Sequence, residues 1–261
     1  MRLNSVRAGS GIEVVLLHGL TATHHYVVMG SRSLERAGHD VLAYDARGHG
    51  ESERAPAGGY TYELLAADLL ELLDTAGFER PVIAGASMGA HTAVRFALEH
   101  PERVAGLVLV TPAYMPGDEH RELGLWDRRA DGLRSGGIDG FLAAYGEIGG
   151  TGAASERIKT VIRQRMARHN DLDAVADALQ GVPRSAPFGT LAELGELRMP
   201  VTVVADRDEL DPGHPLAVGE AWAQAIPGSR LVVEEPGESP IAWQGGRLSK
   251  VIAATAQEAA R

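Results

Sequence analysis

Gly85-Ala86-Ser87-Met88-Gly89 sets a serine hydroxyl between small residues at G-x-S-x-G spacing. That spacing suits a sharp turn from strand to helix, which pushes the hydroxyl out of a sheet and leaves the first helical amides facing any anion formed beside it. The chemistry implied is nucleophilic: Ser87 attacks a carbonyl, and the Met88 amide is one donor to the resulting oxyanion. A serine hydroxyl needs a base to take its proton. His214, in Asp211-Pro212-Gly213-His214-Pro215, is the candidate, downstream of an acidic run of Asp206, Asp208, Glu209 and Asp211. The same histidine also reads as a plain lead-in to a helix that opens at Pro215. His24 and His25 read as polar lining of a pocket mouth, with a role as the base as the lesser alternative, and His91, one helical turn after Ser87, as a packed or hydrogen-bonded residue. No His-x-x-x-His or comparable ligand spacing points to a metal, no dinucleotide fingerprint is present, and no cofactor is expected.

The elements that must hold these residues alternate between strand and helix. Short apolar runs predict strands at Ile12–Leu17, Val41–Tyr44, Pro81–Ala84, Val104–Val110, Val201–Ala205 and Leu231–Val233. Helices are predicted at Tyr26–Ala37, Tyr62–Ala76, Ala90–His100, Pro215–Ile226 and Leu248–Ala260, with Gly38 and Gly77 as stop signals. Such alternation implies a parallel sheet covered on both faces. Between Thr111 and Pro200 it stops for about ninety residues, far too many for a loop. Helical pieces at Ile158–His169 and Leu172–Leu179, with a glycine-rich span from Gly132 to Gly152, read as a cap inserted over the C-terminal strand ends. The expected division is a core of residues 1–111 and 200–261 and a helical cap of residues 112–199. Tyr114, Met115, Trp126, Phe141 and Tyr145 are candidates to line a pocket beneath the cap, or else to form the cap's own core.

Composition narrows the partners. A chain of 261 residues, 44% hydrophobic, is long enough for one large domain with an insertion. A net charge of -10 without a basic cluster argues against nucleic acid and anionic membranes. Without cysteine there is no disulfide, thiol nucleophile or thiolate metal site. The apolar run Val14–Leu17 is too short for a signal or membrane segment, so a cytoplasmic protein with a small-molecule substrate is expected, and a homo-oligomer is left open.

His18-Gly19-Leu20 follows the first long strand, Asp45-Ala46-Arg47-Gly48-His49-Gly50-Glu51-Ser52 forms a D-x-R-G-x-G-x-S turn, and Gly85–Gly89 comes third. In this order and at these spacings they resemble the α/β-hydrolase fold superfamily, over nearly the whole chain outside the cap. The resemblance implies a mostly parallel central sheet, helices on both faces and an inserted helical cap. It places the second oxyanion donor at Leu20, gives His18, Asp45 and His49 structural roles, and has Arg47 pair locally. Asp208 matches the family's acid, in a D-x-x-x-P-like loop, with Asp211 before Pro212 as the alternative. The family's histidine loop, commonly Gly-His-Ser-Pro, stands here as Gly237-Glu238-Ser239-Pro240. A glutamate therefore occupies the position of the family's catalytic histidine, which makes His214 the candidate replacement and Glu238 a candidate acid-base residue. The function implied is a carboxylesterase-like serine hydrolase for a small, mostly apolar ester or acyl substrate. Two other readings stay open: a ligand-binding protein on a hydrolase scaffold, and a lyase or isomerase in which Glu238 moves the proton. Relatives that open epoxides or displace halide carry aspartate at the elbow, so Ser87 disfavours those activities.

Overall fold

The computed structural model describes residues 1–117, 123–146, 153–207, 211 and 213–261. Its strands are β1 (Ser5–Gly9), β2 (Ile12–Leu17), β3 (His39–Tyr44), β4 (Val82–Ala86), β5 (Gly106–Val110), β6 (Val201–Ala205) and β7 (Arg230–Val233). They form one sheet in the order β1-β3-β2-β4-β5-β6-β7. All neighbouring pairs are parallel except β1 with β3, which run antiparallel at the edge. The helices are α1 (Ser33–Arg36), α2 (Tyr62–Ala76), α3 (Met88–Glu99), α4 (Leu123–Tyr145), α5 (Ala153–Met166), α6 (Leu172–Gly181), α7 (Leu216–Ala225) and α8 (Gly245–Ala259). None among the described residues is long and apolar enough to cross a membrane.

Strand alternation divides the interior into two layers. Val15, Leu17, Ile83, Leu107, Leu109 and Val203 face one way and join side chains of α2, α3 and α7. Val14, Leu16, Val82, Val108, Val110 and Val204 face the other way and join Leu34 of α1 with Leu248, Ile252 and Ala256 of α8. Central strands buried on both faces explain why β4 and β5 read as continuous apolar runs rather than alternating ones. Thr61 caps α2 by accepting from Leu64 N–H, and Gly77 closes it at φ 71°.

The topology also chooses where a ligand would sit. From β2 the chain moves outward to β3 and then returns across the sheet to β4, so strand order reverses between β2 and β4. Loops leaving the C-terminal ends of the strands on either side of such a reversal bound a crevice. Here those loops begin at His18 and at Ser87.

Three stretches depart from the sequence expectation. The polar residues before Gly11 include β1, a largely exposed edge strand that carries little hydrophobic signal. Tyr26–Ala37 is not one helix: a single 3-10 turn at His24–Tyr26 is separated from the short α1 by Met29 and Gly30, both at positive φ. The glycine-rich stretch after Gly132 is partly helical, because α4 runs through it and turns at Gly136–Gly137. The two halves of α4 cross where Gly132 and Gly140 meet backbone to backbone, with no room for a methyl group on either.

Candidate active site

β4 ends at Ala86 and α3 begins at Met88, so Ser87 alone makes the turn between them. Its backbone lies at φ 51° and ψ -111°, a region that a residue with a side chain enters only when its surroundings force it. Ser87 N–H donates to Val110 O of β5 at 2.9 Å, and Ser87 O accepts from His91 N–H at 3.0 Å. A methyl at Gly85 would strike Gly89 O, and one at Gly89 would strike Leu17 O, so α3 docks against β2 only because both positions are glycine. Met88 is the first residue of α3, and its N–H has no acceptor within the helix.

The Ser87 hydroxyl meets a histidine. Ser87 Oγ lies 2.9 Å from His214 Nε2, and His214 Nδ1 lies 2.9 Å from Asp211 Oδ2. The His214 amide also donates to Asp211 O at 3.0 Å, which folds this part of the loop after β6 into a tight turn. Side-chain exposures of 25% for His214 and 21% for Asp211 leave the pair reachable by a small molecule. Burial works against charge on Asp211, but the hydrogen bond and charge of His214 outweigh it and hold the carboxyl below its ordinary value. Asp208, the acid that the family resemblance favours, lies outside the described residues, and the carboxylate beside His214 belongs to Asp211.

Glu238 requires a correction. Its side chain is 45% exposed, and Oε2 is 2.7 Å from Arg247 Nη1 at the start of α8. The hydrogen bond from Arg247 holds its carboxyl below the ordinary value, opposite to what a proton-moving glutamate needs. The loop after β7 thus gives Glu238 a surface ion pair.

The loop after β2 lies against the elbow: a Cβ built on Gly19 would be 3.5 Å from Ser87 Cβ. His18 braces it, accepting Ala46 N–H on Nε2 at 2.9 Å and donating from Nδ1 to Gly19 O at 2.8 Å. Burial pushes His18 down to about 3, which keeps it neutral. The ring nitrogens of His49 lie 2.9 Å from Arg47 O and 2.8 Å from Leu20 O, so His49 ties the Asp45 turn to the residue whose amide is the candidate second donor. Asp45 is wholly internal. Burial disfavours its charge, yet hydrogen bonds from His24 and Asn4 prevail and hold it far below the ordinary range. Arg47 pairs with Asp68 through two bonds of 2.6 and 2.7 Å and donates to Gly59 O at 2.7 Å.

Other candidates are engaged elsewhere. His24 Nδ1 bonds Asp45 Oδ1 at 2.9 Å, and His25 is exposed beside it. Tyr114 is buried, its hydroxyl donating to Phe188 O at 3.0 Å and its carbonyl accepting from Trp222 Nε1–H at 2.9 Å. Trp126 is half-buried with the Arg129 guanidinium 4.8 Å from its ring centre. His91 accepts Ala113 N–H at 3.0 Å and contacts Tyr62 Oη at 2.8 Å, a packed role as expected.

One residue went unnoticed in the sequence. Arg165, near the end of α5, has a buried Nε with no hydrogen-bond partner, and its charge is felt at Asp211. Burial lowers its affinity for a proton, while Tyr145, Asp211 and Tyr26 act the other way. Nothing in the run Arg163-Gln164-Arg165 marks Arg165 as different from its solvated neighbours.

Comparison with known proteins agrees with this architecture. Residues 13–245 match the model of the alpha/beta hydrolase fold family. The chain is 33% identical over 240 residues to the 2-hydroxy-6-oxononadienedioate/2-hydroxy-6-oxononatrienedioate hydrolase 2 of Pseudomonas putida, covering 86% of this chain and 80% of that one. The enol-lactonase of Burkholderia xenovorans LB400 superposes with a TM-score of 0.79 at 27% identity, covering 98% of this chain and 96% of the other. A thermophilic esterase from Thermogutta terrifontis also gives 0.79, at 25% identity and 98% and 93% coverage. With the elbow, the sheet order and these similarities together, the chain belongs to the alpha/beta hydrolase fold family and is an enzyme of the hydrolase class.

Proposed function

We propose that this enzyme is a serine hydrolase for a small ester or lactone whose acyl or alcohol part carries a carboxylate. The observation that supports it most directly is the continuous chain from Ser87 Oγ through His214 to Asp211, with 2.9 Å at each step. In this reading His214 holds its proton on Nδ1, donates it to Asp211, and presents a free Nε2 to the serine hydroxyl. Ser87 Oγ attacks the carbonyl carbon while its proton passes to Nε2. The amides of Met88 and Leu20 face the new oxyanion, each donor worth about 3 kcal/mol in such sites. His214 then returns the proton to the leaving oxygen, and a water activated by the same nitrogen releases the acid. Asp211 keeps the imidazole oriented and offsets its transient positive charge.

The substrate's charge follows from Arg165. A buried guanidinium nitrogen without a partner, near Asp211 and Tyr26, suits a carboxylate that arrives with the ligand. The Pseudomonas putida relative is named for a dioate, a substrate with two such groups. Arg165 belongs to the helices between β5 and β6, which we read as a cap. One of its attachments to the core is His169, whose Nδ1 accepts Gly50 N–H at 2.9 Å. The lyase reading loses its residue with the surface placement of Glu238, and no observation favours a purely ligand-binding role.

Two p-nitrophenyl esters of equal chain length, one neutral and one ending in a carboxylate, test both parts. Cleavage with an initial burst of nitrophenol is expected for both, and Arg165→Gln should lower kcat/KM about tenfold or more for the charged ester alone. Equal loss on both esters would reduce Arg165 to a support for Asp211. Cleavage of neither by the folded protein would overturn the proposed ester and lactone chemistry.

A further inference from the structure

Asp206 and Glu234 occupy the first positions beyond β6 and β7. In that parallel pair Val204 is registered against Val232 and Ala205 against Val233. The next residues therefore stand side by side, one strand spacing of about 4.8 Å apart. Alternation places both side chains on the face of Val204 and Val232, which pack toward α8. Asp206 is 0% exposed and Glu234 is 2% exposed. Glu234 Oε1 accepts the Arg207 amide, and Arg207 Nε–H donates to Glu234 O. The remaining three oxygens, Asp206 Oδ1, Asp206 Oδ2 and Glu234 Oε2, have no hydrogen-bond partner.

Among the described residues no side chain donates to these three oxygens: the nearby cation, Arg207, turns its Nε–H to Glu234 O, and His214 opposes the negative charges at Asp206 only as the smallest influence. On the loop after β6 the neighbouring groups are Asp211 and His214. The turn Ile241–Trp243 has no titratable side chain, and the Ala242 amide approaches Asp206 without reaching hydrogen-bond geometry. On α8, Arg247 is taken by Glu238 and Glu258 pairs with Arg230. Two adjacent carboxylates shielded from water cannot both ionise. A single proton on Asp206, donated to Glu234 Oε2, partners two of the three donorless oxygens at once.

We infer that Asp206 and Glu234 hold one proton between them, the Asp206 carboxyl donating to Glu234 Oε2, and that this acid pair clamps the strand ends beneath the loop carrying Asp211 and His214. Asp206 is here a positioning residue. Burial, with Glu234 and Asp211 nearby, pushes it up to about 7. Because the folded value exceeds the unfolded value of about 3.9, the unfolded chain binds fewer protons in between, and the clamp's stability falls as pH rises from about 4 to about 7. Loss of the proton to solvent also adds a negative charge behind Asp211, the carboxylate that orients His214. Its bearing on catalysis rests on the Ser87–His214 reading; the titration does not.

Carboxyl-carbon NMR of the unaltered protein, with Asp206→Asn and Glu234→Gln as assignments, is the direct test. One buried carboxyl titrating near neutrality is expected, absent in Asp206→Asn and returned toward the ordinary range in Glu234→Gln. The Asp206→Asn protein, whose amide can donate to Glu234 permanently, should gain Tm over the unaltered protein by an amount that grows from pH 5 to pH 8. Between those two pH values the folding equilibrium should shift by about 10²-fold. Ordinary titration of every Asp and Glu carboxyl, or parallel curves of Tm against pH, would overturn the shared proton. An inactive protein that still shows the neutral titration would overturn the serine-hydrolase reading and leave the acid pair standing.

Discussion

In the proposed triad the imidazole reaches Ser87 from the loop after β6 rather than the loop after β7, and this decides which substitutions matter. Ser87→Ala and His214→Ala should each lower kcat on a p-nitrophenyl ester by about 10⁴-fold or more, since either change removes proton transfer to the nucleophile. Asp211→Asn should cost about 10³–10⁴-fold by favouring the wrong tautomer of His214. Glu238→Gln should leave kcat within about twofold, because Glu238 meets Arg247 at the surface. Ser87, Met88 and His214 were legible as candidates because motif spacing and a nearby acidic run point to them. The choice between Asp208 and Asp211 was not, since several carboxylates on one loop differ only in how the chain turns. Arg165 was invisible for a related reason: whether its Nε finds a partner depends on how residues of other elements pack around it.

At the scale of elements, the elbow depends on close backbone contact between α3, β2 and β4. Gly89→Ala puts a methyl against Leu17 O and should destabilise the fold by about 2–3 kcal/mol or more, measured from the urea midpoint. The Asp45 turn is fixed by the buried Arg47–Asp68 pair, so Arg47→Ala should lose about 3–5 kcal/mol by stranding Asp68 among apolar neighbours. Most of the sheet was readable, because doubly covered strands need unbroken apolar runs and α2 carries both its cap and its stop. Tyr26–Ala37 misled because its apolar residues mimic a helical face, while Met29 and Gly30 turn the chain at positive φ. β1 escaped because an exposed edge strand needs only one partner and little hydrophobicity.

For the molecule as a whole, the loops around the crevice are held by buried neutral histidines. His18 and His169 are each pushed down to about 3 by burial and by His49. Their folded values lie below the unfolded value of about 6.5, so the stability they support is intact above that pH and lost as pH falls toward 3. Tm should therefore drop as pH falls below about 6, and His169→Gln should soften that drop; an unchanged curve would mean that His169 titrates normally. Asp206 acts in the opposite direction over part of the same range, which is why its effect is to be read as a difference between variant and unaltered protein. The most direct test of the serine chemistry is intact-mass labelling with a fluorophosphonate, run on the unaltered protein, His214→Ala and Glu238→Gln. One adduct mapping to Ser87 is expected in the unaltered protein and in Glu238→Gln, and none on the same timescale in His214→Ala. No adduct on the folded unaltered protein, or undiminished labelling of His214→Ala, would contradict a serine activated by His214.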